Sequence, residues 1–339
     1  MKLVFCPKSY RERKSAIYHG RRLVYQAVIA KSMGHDVELH LPSGVFDFEP
    51  MPPDLKKLAG DLRITDGTKP SALPADAVYF CTTTYVLYAG NYVPKLPKIV
   101  VWNDTLACQH ADKLFPAADL VLAWVTKPSD FTEPTMERHP GIKKYRWPEE
   151  GQPVMSVPFV SHDVVLEALW EDGMTDAYLR DDLEAIRAKY GSSKKKRLAG
   201  FIGGNLPVRS RIGATLEPPT YEVVWAGGHH PRLLPTDVLR WISESEACLN
   251  LPGDTYSCSR FCDAVLMGVP VIPKKDTLWF TPAVNESNTI SVDNWANILK
   301  IRAGIEHSQE IVANADKAYR EGWSLRGQLV QSLKRIGIA

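Results

Sequence analysis

Short apolar runs alternate with stretches of helical spacing from the first residues onward. Leu3 to Cys6 is an apolar run closed by Pro7. Gly20, Leu23, Val24, Ala27 and Val28 then recur at helical spacing within Ser15 to Met33, Gly34 ends that helix, and Val37 to Leu41 follows as a strand. Further strands are predicted at Ala77 to Cys81, Ile99 to Trp102, Leu120 to Trp124 and Val154 to Val160, separated by Pro-rich loops such as Pro42 to Pro53 and Pro94 to Pro97. The pattern then restarts. Leu198 to Ile202 is a strand running into Gly203-Gly204-Asn205, and Tyr221 to Trp225 is a second strand. A helix over Leu234 to Ser245 leads to a strand at Ala247 to Leu251, and one over Ser259 to Met267 leads to Val269 to Ile272. The last third is helical, with Ile311, Ala315, Ala318 and Tyr319 on one face and a final helix over Leu325 to Ile336. Strands alternating with helices predict an α/β fold of two doubly wound, Rossmann-like domains facing a cleft.

Charge places the boundary between them. Residues 163–184 hold eight acidic residues and one basic, whereas 194–211 hold six basic residues and no acidic one. Each segment also reads as a plain solvated face. The predicted division is an N-terminal domain over 1–165, a linker helix over 166–195, a C-terminal domain over 196–322, and a helix over 323–339 packing back on the N-terminal domain.

Composition narrows the class. A chain of 339 residues accommodates two domains of about 150 residues each. With 45% hydrophobic and 24% charged residues the chain is globular rather than disordered. Its 41 basic and 39 acidic residues leave a net charge of +2, which argues against a protein that coats nucleic acid. Leu3 to Cys6 is too short for a secretory apolar segment, and the longest uncharged stretch, Ala77 to Pro94, carries Thr, Asn, Gly and Pro. The expectation is a soluble, cytoplasmic chain without a membrane span. Cys6, Cys81, Cys108 and Cys248 stand apart, and Cys258 and Cys262 lie four apart with no partner pair to complete a zinc site. Neither a metal nor another cofactor is expected; Asp47-Phe-Glu49 is the nearest approach to an acidic metal motif.

The chemistry concentrates between Leu251 and Ile272. A strand ends, a loop containing Gly253 and Asp254 follows, and a helix opens near Ser257 and Ser259; free amides and the helix dipole there favour an anion. Arg260 in the first turn adds a donor fork suited to phosphate, and Asp263, three residues on, shares its face. A carboxylate so placed can accept from vicinal hydroxyls, as with a ribose. The same two residues read equally as an Arg260–Asp263 surface pair.

Gly253-Asp254-Thr255, Ser257, Arg260, Asp263-Ala264, Gly268 and Pro270-Val271-Ile272 resemble the donor-site signature of exostosin-like glycosyltransferases. Phe201-Ile-Gly-Gly-Asn205 with Arg209 or Arg211 resembles that family's first C-terminal strand, glycine turn and basic residue. The resemblance covers about residues 197–282; Ala247 and Val269 depart from it, and the family's membrane anchor is absent. It implies a GT-B fold and a UDP-sugar donor. Gly203, Gly204, Asn205, Gly253, Asp254, Ser257 and Ser259 would then form the donor site. Arg260 with Arg209 or Arg211 would hold the diphosphate, Asp263 the ribose, and transfer would be inverting and metal-independent.

Glycosyl transfer also needs a base at the acceptor hydroxyl. Asp104, just after the Ile99 to Trp102 strand, and His19, near the start of the first helix, are the candidates, with Asp130 and His110 behind them. Each also has a structural reading, Asp104 as a helix cap and His19 as a surface residue. Lys8 to Arg22 holds six basic residues and one acidic, which points to a negatively charged acceptor. The acceptor is a glycan, a small molecule or, in an alternative reading, a hydroxymethylated base of DNA reached through Tyr10, Arg11, Arg13, Lys14, Arg21 and Arg22. A third reading is a GT-B-like protein that binds without catalysis.

Overall fold

The computed structural model describes residues 1–6, 17–41, 62–66, 76–82, 98–103, 118–141, 153–158, 165, 169, 171–204, 206–216, 221–225, 234–253 and 255–338. These divide into two compact units. The first comprises Met1–Thr126, Gly141–Ser156 and Gln328–Ala339; the second comprises Lys127–Pro140 and Val157–Gly327.

The first unit is built on a seven-stranded sheet whose pairings are all parallel. Its strands are β1 (Lys2–Cys6), β2 (Asp36–Leu41), β3 (Arg63–Asp66), β4 (Val78–Thr82), β5 (Ile99–Asn103), β6 (Leu120–Ala123) and β7 (Val154–Ser156), in the order β3-β2-β1-β4-β5-β6-β7. The apolar runs of the sequence become its centre: β4 and β6 are buried along their whole length, as strands covered on both faces must be. Phe5 stacks on Phe80 of the neighbouring strand at 4.7 Å. Helix α1 (Ile17–Ser32) packs on β1, β2 and β4 through its buried 22–30 stretch, and Gly34, at φ +87°, turns the chain into β2. The sequence pattern misses β3, a four-residue edge strand with Arg and Asp at its ends. It also overextends β7, which stops at Ser156.

The second unit carries a four-stranded parallel sheet ordered β11-β10-β8-β9. Its strands are β8 (Arg197–Gly203), β9 (Tyr221–Trp225), β10 (Ser245–Leu249) and β11 (Val271–Ile272). Phe201, Leu249, Leu251, Ile272 and Trp295 belong to one apolar core. The first helices of this unit in chain order are α2 (Glu133–Arg138), α3 (Thr175–Leu179), α4 (Leu183–Tyr190), α5 (Pro207–Gly213), α6 (Pro235–Ser243) and α7 (Arg260–Leu266). They are followed by α8 (Ile298–Glu306), α9 (Ser308–Ala318), a π-helical turn over Tyr319–Trp323, and α10 (Leu325–Arg335), whose last turns group with the first unit. There Lys98 Nζ donates to Ile336 O at 2.9 Å and Arg335 to Val154 O at 3.3 Å.

Two stretches differ from their sequence reading. The acidic segment 163–184 is not one solvated face. Asp182 caps α4 by accepting from Ala185 N at 3.0 Å, and Asp181 is buried. The segment expected as a linker is packed into the second unit. Leu183, Ile186 and Tyr190 are buried, and Arg187 donates to Val265 O and Leu266 O and pairs with Asp316 at 2.6 Å. The strand expected at Ala247 to Leu251 begins two residues earlier, because Lys196 N donates to Glu244 O and Ser245 already pairs with Arg197.

Candidate functional site

The order β11-β10-β8-β9 reverses direction between β8 and β10, since β9 lies on one side and β11 on the other. In open parallel sheets, loops at the carboxyl ends of strands flanking such a reversal diverge and leave room for a ligand. Here those loops are the Gly203-Gly204 turn after β8 and the Gly253 loop after β10.

Arg209 joins the two. Pro207 opens α5 at a position where no amide is needed, with Leu206 in extended conformation before it. That phasing puts Arg209 back over the turn, where its guanidinium donates to Gly204 O at 3.0 Å and lies 5.0 Å from the Phe201 ring. A Cβ on Gly253 would sit 3.0 Å from Arg209 Nη2, and one on Gly203 2.8 Å from Phe201 and 3.7 Å from Arg209 Nη1. Both glycines are there because a guanidinium and a ring come close to the main chain. Arg211, two residues on and off that face, is exposed. The pair left open by sequence is thereby separated: Arg209 sits at the glycine turns and Arg211 does not.

The loop after β10 is tied internally. Asn250, buried at the end of the strand, donates through Nδ2 to Tyr256 O at 3.0 Å and accepts from Cys258 Sγ at 3.0 Å. Gly253 N donates to Thr255 O, and Thr255 Oγ1 to Ser257 O at 2.7 Å. Ser257 is buried, and Ser259 precedes α7 without a side-chain cap bond.

Arg260 and Asp263 face each other at the start of α7. Arg260 Nη1 pairs with Asp263 Oδ2 at 2.7 Å, with side chains 14% and 0% exposed. This is neither a surface pair nor an open hydroxyl acceptor. The Asp263 carboxylate has no exposed surface and is the internal counter-ion of Arg260. Arg260 reaches the protein surface only at its margin. Cys248 lies in the same buried environment, its thiol pushed up to about 12 by burial against a lowering influence from Arg260.

Asn205, Asp254, Asp104 and His110 lie outside the described residues. His19 falls in the first turn of α1. Asp130 has a structural task, accepting from Lys127 N at 3.1 Å at the start of a 3-10 turn over Pro128–Asp130.

One contributor escapes any local reading of the sequence. The excursion Lys127–Pro140 leaves the first unit after β6 and belongs to the second. Phe131 forms an antiparallel bridge with Thr255, Asp130 O accepts from Tyr256 N at 3.1 Å, and Thr132 Oγ1 donates to Gly253 O at 3.1 Å. Nothing in its sequence signals a partner more than a hundred residues away.

Sucrose-phosphate synthase from Thermosynechococcus elongatus matches over 98% of this chain and 97% of that one, with a TM-score of 0.53 and 11% identity. The fold is GT-B. A glycosyltransferase from Rickettsia africae matches over 99% and 97% at a TM-score of 0.47 and 12% identity. The lipopolysaccharide glycosyltransferase WaaG matches over 100% of both chains at 0.43 and 12%. At these identities the likeness speaks for the fold alone, and the two lower scores add nothing to it. No protein-family model and no curated protein matches the sequence. Within the GT-B frame, the turns after β8 and β10 are the carboxyl-end loops of the C-terminal domain. Among the described residues no helix is long and apolar enough to cross a membrane.

Proposed function

We propose that this chain transfers a sugar from a UDP-sugar to an acceptor hydroxyl, with inversion and without a metal. The observation that carries the reading is Arg209, set at the sheet's reversal between the glycine turn after β8 and Gly253. A donor fork held beside two side-chain-free turns can approach a diphosphate closely and stabilise the negative charge that develops as the sugar–phosphate bond breaks. The fixed cation does the work that a metal would otherwise do. The exostosin-like pattern of Gly253, Ser257, Arg260 and Gly268 supports the same donor class. In the reaction, the acceptor hydroxyl gives its proton to a base, its oxygen bonds to the anomeric carbon, and UDP departs with the electrons of the broken bond. Asp104 and His19 are the proposed bases.

The test is a panel of UDP-sugars presented to the full chain in chelator. A donor that raises the melting temperature and is slowly hydrolysed to UDP and free sugar is the expected result. Absence of any response to UDP or its sugars, or a response that appears only when divalent cations are restored, refutes the donor reading or its metal independence respectively. Binding without hydrolysis or transfer to any acceptor would identify a non-catalytic protein.

A further inference from the structure

The excursion Lys127–Pro140 touches the Gly253 loop through a chain of hydrogen bonds whose direction the groups themselves dictate. Thr132 and Thr135 are both buried. Thr132 Oγ1 donates to Gly253 O at 3.1 Å, a carbonyl that can only accept. A hydroxyl has one proton, so the contact between Thr132 Oγ1 and Thr135 Oγ1 at 3.1 Å takes its proton from Thr135. Arg138 Nη2, which can only donate, then supplies Thr135 Oγ1 at 3.3 Å. The sequence Arg138 to Thr135 to Thr132 to Gly253 C=O is therefore polarised from a cation at one end to a peptide carbonyl at the other, and each bond strengthens the next. The residue at its receiving end is the glycine whose Cα faces the Arg209 guanidinium. The Phe131–Thr255 bridge and the Tyr256 N to Asp130 O bond hold the same loop just beyond Gly253.

We infer that Thr132 is a positioning residue of the donor site, orienting the Gly253 peptide against Arg209 through a hydroxyl relay driven from Arg138. The inference rests on the donor reading above and adds a residue outside every motif of the C-terminal half. Its contact is with the Gly253 carbonyl, and it acts through the loop.

Thr132→Val keeps the side chain's shape and removes the donor. Calorimetry with UDP is expected to show affinity about tenfold weaker, and transfer kinetics a raised donor KM with kcat little changed, because a misoriented loop weakens ground and transition states together. Thr132→Ser restores the hydroxyl and is expected to restore both. Thr135→Val, which interrupts the relay one step earlier without emptying the Gly253 contact, is expected to cost about threefold. Wild-type affinity in Thr132→Val overturns the inference, as does a loss that Thr132→Ser fails to repair, since that would trace the effect to packing. Hydrogen exchange at the Tyr256 amide, measured without ligand, separates the two levels. If the wild type binds no UDP the donor reading falls, while faster exchange in Thr132→Val than in wild type and Thr132→Ser still establishes the relay; equal exchange in all three removes it. Should Thr132→Val not fold, the Thr135→Val comparison decides in the same way.

Discussion

The two loops at the reversal of the second sheet use arginine in opposite ways. After β8, Arg209 lies over a glycine turn, donating to the Gly204 carbonyl and set against the Phe201 ring. After β10, Arg260 is bound to a carboxylate with no exposed surface. A guanidinium paired with a buried carboxylate is fixed in place by that pair. In the proposed donor site the loop after β8 would supply charge, and the loop after β10, laced by Asn250, Thr255 and Thr132, would supply shape.

The largest effect should come from splitting the buried pair. Arg260→Ala takes the guanidinium from the buried Asp263 carboxylate, and loss of one partner of such a pair costs about 3–5 kcal/mol. Urea unfolding should show it, and Arg260→Ala combined with Asp263→Ala should recover a substantial part. If the single variant is as stable as the wild type, the contrast between the loops fails. Next comes Arg209→Ala, which should weaken UDP binding by about a hundredfold or more, equivalent to roughly 2.7 kcal/mol, with unfolding nearly unchanged. Arg211→Ala on the same helix should alter neither, and equal losses from both would mean that the helix is merely basic.

A second buried carboxylate sharpens the comparison. Asp181 accepts from Ser324 Oγ at 2.7 Å where Asp263 has a guanidinium, and burial pushes its pKa from 3.8 up to about 7. A raised folded value means that the fold binds this proton more tightly than the unfolded chain does. The contribution is therefore largest below pH 4 and is lost as the pH rises towards 7, by on the order of 3 kcal/mol. Asp181→Asn keeps a residue tolerant of the left-handed backbone at φ +57° and removes the charge. It should flatten the pH dependence of unfolding between pH 4 and 8 and exceed the wild type at pH 8. An unchanged slope would show that Ser324, Arg320 and Arg326 already keep the carboxylate charged. The smallest effect is expected from Gly253→Ala, whose methyl would press Arg209 Nη2 at 3.0 Å. The end of a flexible side chain can move aside, so stability should change by less than about 1 kcal/mol while UDP affinity falls severalfold.

What was legible in the sequence follows the range of the interactions involved. β1, α1 and β8 are written in local spacing because each buries its own apolar face. The choice between Arg209 and Arg211 becomes readable once Pro207 fixes where α5 starts, since residues two apart cannot share a helix face. The Arg260–Asp263 pair was legible from its i, i+3 spacing, whereas its depth depends on how the helix carrying Phe261 and Val265 packs. Thr132 and Asn250 were invisible for another reason. Threonine and asparagine carry no pattern of their own, and their partners are set by tertiary contact, across 121 residues in the case of Thr132 and Gly253.

The placement of Lys127–Pro140 bears on how the protein can be divided in the laboratory. An expression fragment beginning at residue 157 would look like a tidy C-terminal domain, yet it would omit Phe131's bridge to Thr255, the Asp130 carbonyl that receives Tyr256 N, and the hydroxyl on Gly253 O. Such a fragment would carry every residue of the donor signature and still present a different loop. A faithful half-molecule needs the fourteen residues supplied as a fused leader or a synthetic peptide, which makes the site a candidate for complementation by two pieces.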